Sequence, residues 1–369
     1  MGGVVRDVAI GRPVHDLDVA IAAGPGPFVQ AVAAALHDPT ASIEVTDRFG
    51  TASVTGGGMR LDLARLRTEH YVSPGALPVV RATARIEVDL ERRDFSVNAI
   101  ALGLGGPRRG EVVDPHGGLA DLATRTLRVL HDRSFEDDAT RLYRGARTAA
   151  LFDLRPDAET AALIAEGGRW LTPVSGERLR AEWATTARRG RAGRTLALLD
   201  AWGVLRATHP SLYLHPHARR ALARRRGAIA PEVLAGVVLA PLLGRAAVLD
   251  RLAAPREWRL AADGAAALLD ATDPTPEALE RLAGTSAAAR TAAAWLDPER
   301  QRALQRDLRR WERTRPPLTA EALLRLGVAR GPALGAALAE LRRARFLGTL
   351  GSAAEARAEI RRRIAREGG

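Results

Sequence analysis

The chain has 369 residues, 46% of them hydrophobic and only 4% aromatic, so it is too long for one ordinary core and too poor in aromatics for a β-sandwich; two to four domains rich in helix are expected. It contains no cysteine, which excludes disulfides and thiolate metal sites and points to a reducing, cytoplasmic setting. Its formal charge is +12 and all 55 basic residues are arginine; a GC-rich genome accounts for the lack of lysine but not for the positive sum, which a polyanion partner, most simply nucleic acid, would explain.

The first residues, MGGVVRDVAIG, lack the basic and apolar regions of a secretory signal. The longest apolar run, VLAGVVLAPLLG, is too short to span a bilayer and holds a proline, so no membrane partner is expected. Gly2 and Gly3 lead into a helix-like VVRDVAI, and glycines at a helix start let backbone N–H groups approach phosphate. Short β-like runs then alternate with glycine turns: LDVAIAA, SIEVTD, TASVTGGG, MRLDLA and GEVVDP. Helical segments such as PFVQAVAAALHD lie between them. Near residue 125 the pattern changes, and from RSFEDDATRLYRGARTAALF onward nearly every segment has helical period. No repeat of fixed period is present. A mixed α+β head followed by a long helical arm is predicted.

Two acids stand at the mouth of the first strand. In GRPVHDLDVAI, Asp16 and Asp18 flank a single leucine, so on a strand they share a face while Leu17 points to the core. Two carboxylates side by side repel each other unless both are solvated or a cation sits between them. Hard oxygen donors suit Mg²⁺, and two such ions about 3.5–4 Å apart can clamp a phosphoryl transfer. A third acid, Asp62, lies in the β-like MRLDLARLRTEHY. It either completes a three-carboxylate site from a neighbouring strand or is an ordinary edge-strand charge.

These residues, in this order, resemble a known family. GGVVRDVAIGRPVHDLDVAI is similar to the signature of class II tRNA nucleotidyltransferases and bacterial poly(A) polymerases, within the polymerase-β-like superfamily. The likeness continues through RFGTASV, LDLARLRTEHY, SPGALP, ERRDFSVNAIAL, VVDPHGGLADLATRTLRVLH, SFEDDATRLYRGAR and GERLRAEW, and extends to LTAEALLRLGVARGPALGAALAEL. It implies an α+β fold: a polymerase-β-like head, a small mixed sheet with helices, over residues 1–122. An all-α neck over 123–188, body over 189–290 and tRNA-binding tail over 291–369 would follow. In the family a strand and usually a helix precede the glycines, so the resemblance implies either a misassigned start or a head lacking its N-terminal strand. The implied activity is Mg²⁺-dependent, template-independent addition of CCA, from CTP and ATP, to the 3′ end of tRNA. A-adding, CC-adding, poly(A)-adding and catalytically weak RNA-binding relatives are the alternatives. The full-length loop after Asp62 favours complete CCA addition over CC alone.

Residue by residue, the resemblance makes Asp16 and Asp18 the catalytic, metal-binding carboxylates, with Asp62 as a third. Gly2, Gly3 and Arg6 match the triphosphate-binding start. Arg67, Glu69 and Tyr71 open what resembles the flexible loop. Arg92, Arg93, Asp94 and Asn98 match an element that touches ribose and phosphates, where guanidinium forks suit phosphate oxygens. Asp138 and Arg141 match the pair that reads the incoming base, and Arg144 joins the nucleotide-binding set. Glu177, Arg178 and Arg180 match a later helix that supports the base reader.

Asp138 and Arg141 are spaced to be neighbours on one helix face. Taken alone, that spacing describes a surface ion pair worth roughly a few tenths of a kcal/mol, and the same holds for Glu177 and Arg180. As a base reader, an Asp acceptor beside an Arg donor takes the exocyclic amine of C or A and turns away U and G, which show a carbonyl there. The arginine runs HARRALARRRG, QRDLRRWERTR, LRRARF and RRRIAR are each an ordinary solvated helix face. Together they are expected to give the arm a basic surface for the acceptor stem and elbow of tRNA. The histidines of HPSLYLHPH fit no zinc spacing and read as a connecting loop.

Overall fold

The computed structural model describes residues 1–367 apart from 15, 37, 39, 47–49, 57 and 273. Arg48 and Phe49 of the RFGTASV match lie outside the described residues. The chain divides into two compact units. The first comprises Met1–Leu214, Leu222–Ile229 and Ala246–Ala254; the second comprises His215–Ala221, Ala230–Arg245 and Pro255–Gly369.

The first unit opens with helix α1 (Gly3–Ala9), strand β1 (Asp16–Ile21), helix α2 (Gly26–Leu36) and strands β2 (Ser42–Thr46), β3 (Thr51–Gly56) and β4 (Met59–Arg65). The four strands form one mixed sheet in the order β1-β4-β3-β2, with β1 parallel to β4 and the other pairs antiparallel. Alternation in β3 explains the burial: Ala52 and Val54 turn inward, to pack with Val29 of α2 and Leu63 of β4, while Thr51, Ser53 and Thr55 do not. In β1 the alternation is weaker, and Leu17 is only half-buried, so its expected place in the core is partial. The sheet is small, with a core of short side chains.

A hairpin of β5 (Arg67–His70) and β6 (Val79–Ala82) follows, then helix α3 (Ile86–Glu91). The strand expected at GEVVDP shrinks to Val112–Val113, paired with Ala101–Leu102. From there the first unit is helical: α4 (Gly118–Ala123), α5 (Ser134–Asp137), α6 (Arg141–Phe152), α7 (Ala158–Gly167) and α8 (Gly176–Arg188) are its main elements. Helix α6 is buried along most of its length. Gly145 makes this possible, since a Cβ there would stand 2.8 Å from Cζ of the fully buried Phe95.

In the second unit, helices Pro231–Leu239, Arg256–Asp270 and Ala287–Leu296 approach closely through small residues. A Cβ on Gly236 would lie 2.7 Å from that of Ala292, and one on Gly264 2.8 Å from that of Ala289. Helix Pro298–Arg313 follows, and the last three helices, Ala320–Arg325, Pro332–Leu347 and Ala353–Glu367, share a core that includes Leu323, Leu341 and Ile360. The α+β class is as expected, with the mixed sheet at the N-terminal end and helices after it. Among the described residues no helix is long and apolar enough to cross a membrane.

Candidate active site

Strand β1 carries Asp16 and Asp18 on one face, both exposed. The parallel register places Asp18 opposite Asp62 of β4, and Asp16 opposite Arg60. All three carboxylates line one cleft of 650 Å³, whose walls include Gly3, Arg6, Arg93, Asp94, Asn98 and Arg144. The Asp18 carboxyl titrates above the ordinary aspartate range. Burial by surrounding protein raises it most, Asp62 and Asp16 add to this, and the amino terminus and Arg93 oppose it. Asp62 is engaged by Arg60, whose Nε lies 3.0 Å from its carboxylate. Among the described residues no three acidic or imidazole groups converge on one point where a metal ion would sit. The donor set that fits a hard divalent cation is therefore the Asp16–Asp18 pair: two repelled, open carboxylates on one strand face.

Gly2 has φ of 69°, and a Cβ there would stand 2.5 Å from Arg93 Nη1. The positive φ calls for glycine here, while the close approach is to the mobile end of a side chain. Its N–H already donates to Ile100 O at 2.7 Å, so the phosphate contact expected of Gly2 is spent. Arg6 donates to Asn98 Oδ1 and stacks over Phe152, 3.8 Å from its ring centroid. Arg93 faces the cleft; its Nε is enclosed without a hydrogen-bond partner, and burial lowers its pKa. Arg92 does not line the cleft. It bonds instead to Glu69 at 2.8 Å and Asp89 at 2.9 Å, whose side chains are only 8% and 1% exposed and demand a counter-charge. The expected fork of two arginines is thus reduced to one. Glu69 also accepts from Arg67 at 2.8 Å and from the Tyr71 hydroxyl at 3.1 Å. Tyr71 is pushed up to about 12, by burial first and then by Glu69.

Asp138 and Arg141 do not share a helix face. Asp138 directly follows α5, in extended backbone at φ −145°. Its Oδ1 accepts from Thr140 N at 3.0 Å and Thr140 Oγ at 2.7 Å, the bonding of an Asx turn leading into the next helix. Arg141 opens α6 and is 1% exposed. Its Nη1 donates to Ser134 Oγ at 2.9 Å and its Nη2 to Arg92 O at 2.8 Å, leaving Nε enclosed without a partner. The counter-charges of Asp138 are Arg178 at 2.7 Å and Arg144 at 3.4 Å. Of the three residues expected from α8, Arg178 alone reaches Asp138, and its second nitrogen donates to Gly75 O at 3.1 Å. Glu177 is exposed at the helix start, and Arg180 donates to Ala253 O at 2.7 Å. Sequence reasoning missed Ser134, Thr140 and Asp89. Thr140 carried a signal, two residues after an aspartate before a helix, and so did Asp89, three and four residues before Arg92 and Arg93, which it pairs with.

In the second unit a basin of 600 Å³ is lined by Arg306, Arg309, Arg310, Arg313, Arg315 and Arg345, with Thr314 and Phe346 and no carboxylate. Arg310 is anchored there, donating to Phe346 O at 2.8 Å with its guanidinium 4.6 Å from the ring centroid.

Residues 1–128 match the family described as the Poly A polymerase head domain. A CC-adding tRNA nucleotidyltransferase of Deinococcus radiodurans is 35% identical over 98% of this chain and 88% of its own length. An A-adding tRNA nucleotidyltransferase of Halalkalibacterium halodurans is 42% identical over 44% of this chain and 38% of its own. Among solved structures, the apo form II of a CCA-adding enzyme superposes with a TM-score of 0.76 at 25% identity, covering 97% of this chain and 89% of that one. The Thermotoga maritima CCA-adding enzyme complexed with tRNA superposes with a TM-score of 0.68 at 25% identity, with the same coverage of both chains.

Proposed function

This chain belongs to the family of tRNA nucleotidyltransferases, and from that premise we propose that it adds CCA, from CTP and ATP, to the 3′ end of tRNA without a template. The observation that carries the reading is the single cleft in which Asp16, Asp18 and Asp62 face Arg6, Arg93, Asp94 and Asn98. Dependence on a divalent metal is general to the family, and Mg²⁺ is the ion we assign to Asp16 and Asp18. When bound it supplies Lewis-acid polarisation at the reacting phosphate. Arg6 and Arg93 bind and orient the triphosphate, Asp94 and Asn98 fix the sugar side, and Asp138 accepts the base amine. In this reading residues 1–122 are the head, 123–188 the neck, 189–290 the body and 291–369 the tail.

A second reading, addition of CC alone, is favoured by one observation: the Deinococcus radiodurans relative that aligns over 98% of this chain is a CC-adding enzyme. Three tRNA acceptors decide between them, ending at the discriminator base, at the first C and at the second C. CCA addition requires ATP incorporation on the third acceptor, and CC addition requires that it stay unextended while the first two take C. Extension of none of them by CTP or ATP overturns both readings.

The arginine basin is read as an RNA-phosphate contact. Changing Arg306, Arg309 and Arg313 together to Gln should weaken tRNA binding roughly tenfold or more at physiological salt and flatten the log K against log salt slope by about 2–3. Filter binding across a salt series measures both. An unchanged slope would mean that RNA does not occupy the basin.

A further inference from the structure

The proposed site contains a continuous run of polar contacts that links its two ends. Arg6 donates to Asn98 Oδ1, Asn98 Nδ2 donates to Asp94 Oδ1 at 3.1 Å, and Asp94 Oδ2 lies 3.3 Å from Arg144 Nε as an ion pair without hydrogen-bond alignment. Arg144 Nη2 then lies 3.4 Å from Asp138 Oδ2, while Asp138 Oδ1 takes Arg178 at 2.7 Å. The two oxygens of Asp138 are therefore not equivalent. Oδ1 already has three short donors, from Thr140 N, Thr140 Oγ and Arg178. Oδ2 has only the long approach of Arg144, so it alone retains acceptor capacity for a ligand.

We infer that Arg144 is a positioning residue: by spanning Asp94 and Asp138 it holds Oδ2 of Asp138 ready for the amine of the incoming base and ties base selection to the phosphate and sugar end of the cleft. This deepens, and rests on, the nucleotidyltransferase reading above. A guanidinium is the side chain that can do this, because its charge is spread over a rigid plane whose Nε and Nη2 each lie within ion-pair distance of a different carboxylate; a lysine ammonium offers a single point charge. The charge balance agrees with the geometry. Burial works against the Arg144 cation, yet Asp94 and then Asp138 hold its pKa above the ordinary value. Burial likewise opposes the Asp94 anion, and Arg144 is the foremost of the groups that lower its pKa.

The test uses the full-length chain and tRNA ending before CCA, with KM and kcat measured for CTP and for UTP. Arg144→Met should raise KM for CTP and reduce CTP-over-UTP selection at least tenfold while leaving KM for tRNA unchanged. Arg144→Lys, which keeps the charge and the fold, should show the same loss of selection. Asp94→Asn should reduce selection in the wild-type background and add nothing in the Arg144→Lys background. Wild-type selection in Arg144→Lys, or an Asp94→Asn effect of equal size with and without Arg144, overturns the inference. If Arg144→Met does not fold, Arg144→Lys and Asp94→Asn decide the matter alone. Failure of the wild-type chain itself to add C would instead overturn the function reading, so the two failures are distinguishable.

Discussion

Asp16→Ala or Asp18→Ala should abolish nucleotide addition, with a loss in kcat of about 10³-fold or more, equivalent to some 4 kcal/mol of transition-state stabilisation. Either change removes half of the only paired carboxylates on the exposed face of β1, and so half of the proposed metal-binding set. Stability should behave differently from activity. The fold already holds the Asp18 carboxyl above its ordinary pKa, through burial and the nearness of Asp62 and Asp16. Its ionised form is thus a cost to the folded state at neutral pH, and removing it should leave Tm unchanged or slightly raised. Single-turnover incorporation in Mg²⁺ together with a thermal melt measures the two separately. Normal turnover in either variant would remove the metal-site assignment, and a collapse in Tm would mean that the aspartates hold the sheet rather than the cation.

Asp138→Ala should still transfer nucleotides, but more slowly and with misincorporation of UTP or GTP. A site built around a substrate's hydrogen bonds rejects the wrong partner strongly, by as much as about 10⁴-fold, and losing the acceptor should relax CTP-over-UTP selection by roughly 10²-fold or more. The structure adds a cost that the spacing of Asp138 and Arg141 did not suggest. Asp138 bonds Thr140 at the start of α6 and is the counter-charge of Arg178 and Arg144, so the alanine variant loses two hydrogen bonds, each worth about 0.5–1.5 kcal/mol, and strands two arginines. Asp138→Asn separates these effects, because an amide keeps the shape and one acceptor but carries no charge. It should retain more stability than alanine and also lose selection, since its NH₂ can donate to the uracil carbonyl. Single-nucleotide incorporation on tRNA ending before CCA reads the selection directly. If both variants keep wild-type preference for CTP and ATP over UTP and GTP, Asp138 does not read the base.

Much of the candidate site was legible in the sequence because its signals are local. The alternation of DLDVAI fixes that Asp16 and Asp18 share a face, whatever the rest of the fold does. The change from period-two runs to helical period near residue 125 marks where the sheet ends. What was not legible depends on partners distant in sequence. Arg92 looked like a phosphate fork beside Arg93, yet it is drawn away by Glu69, 23 residues earlier, and by Asp89. Asp138 and Arg141 looked like a helical pair, but α5 ends at Asp137 and α6 begins at Arg141. Asp138 spends one oxygen on the turn between them, and Arg141 spends its nitrogens on Ser134 and Arg92. Which face of α8 turns toward Asp138 is likewise set by packing, and the face that does so carries Arg178.

The most direct single measurement is incubation of the full chain with tRNA lacking CCA, Mg²⁺ and each of the four labelled nucleotides singly. The expected result is incorporation of C from CTP, none from UTP or GTP, and complete loss of signal when EDTA removes the metal. No incorporation of any nucleotide, or incorporation of all four at similar rates, would contradict a cleft in which Asp16 and Asp18 drive transfer and Asp138 selects the base.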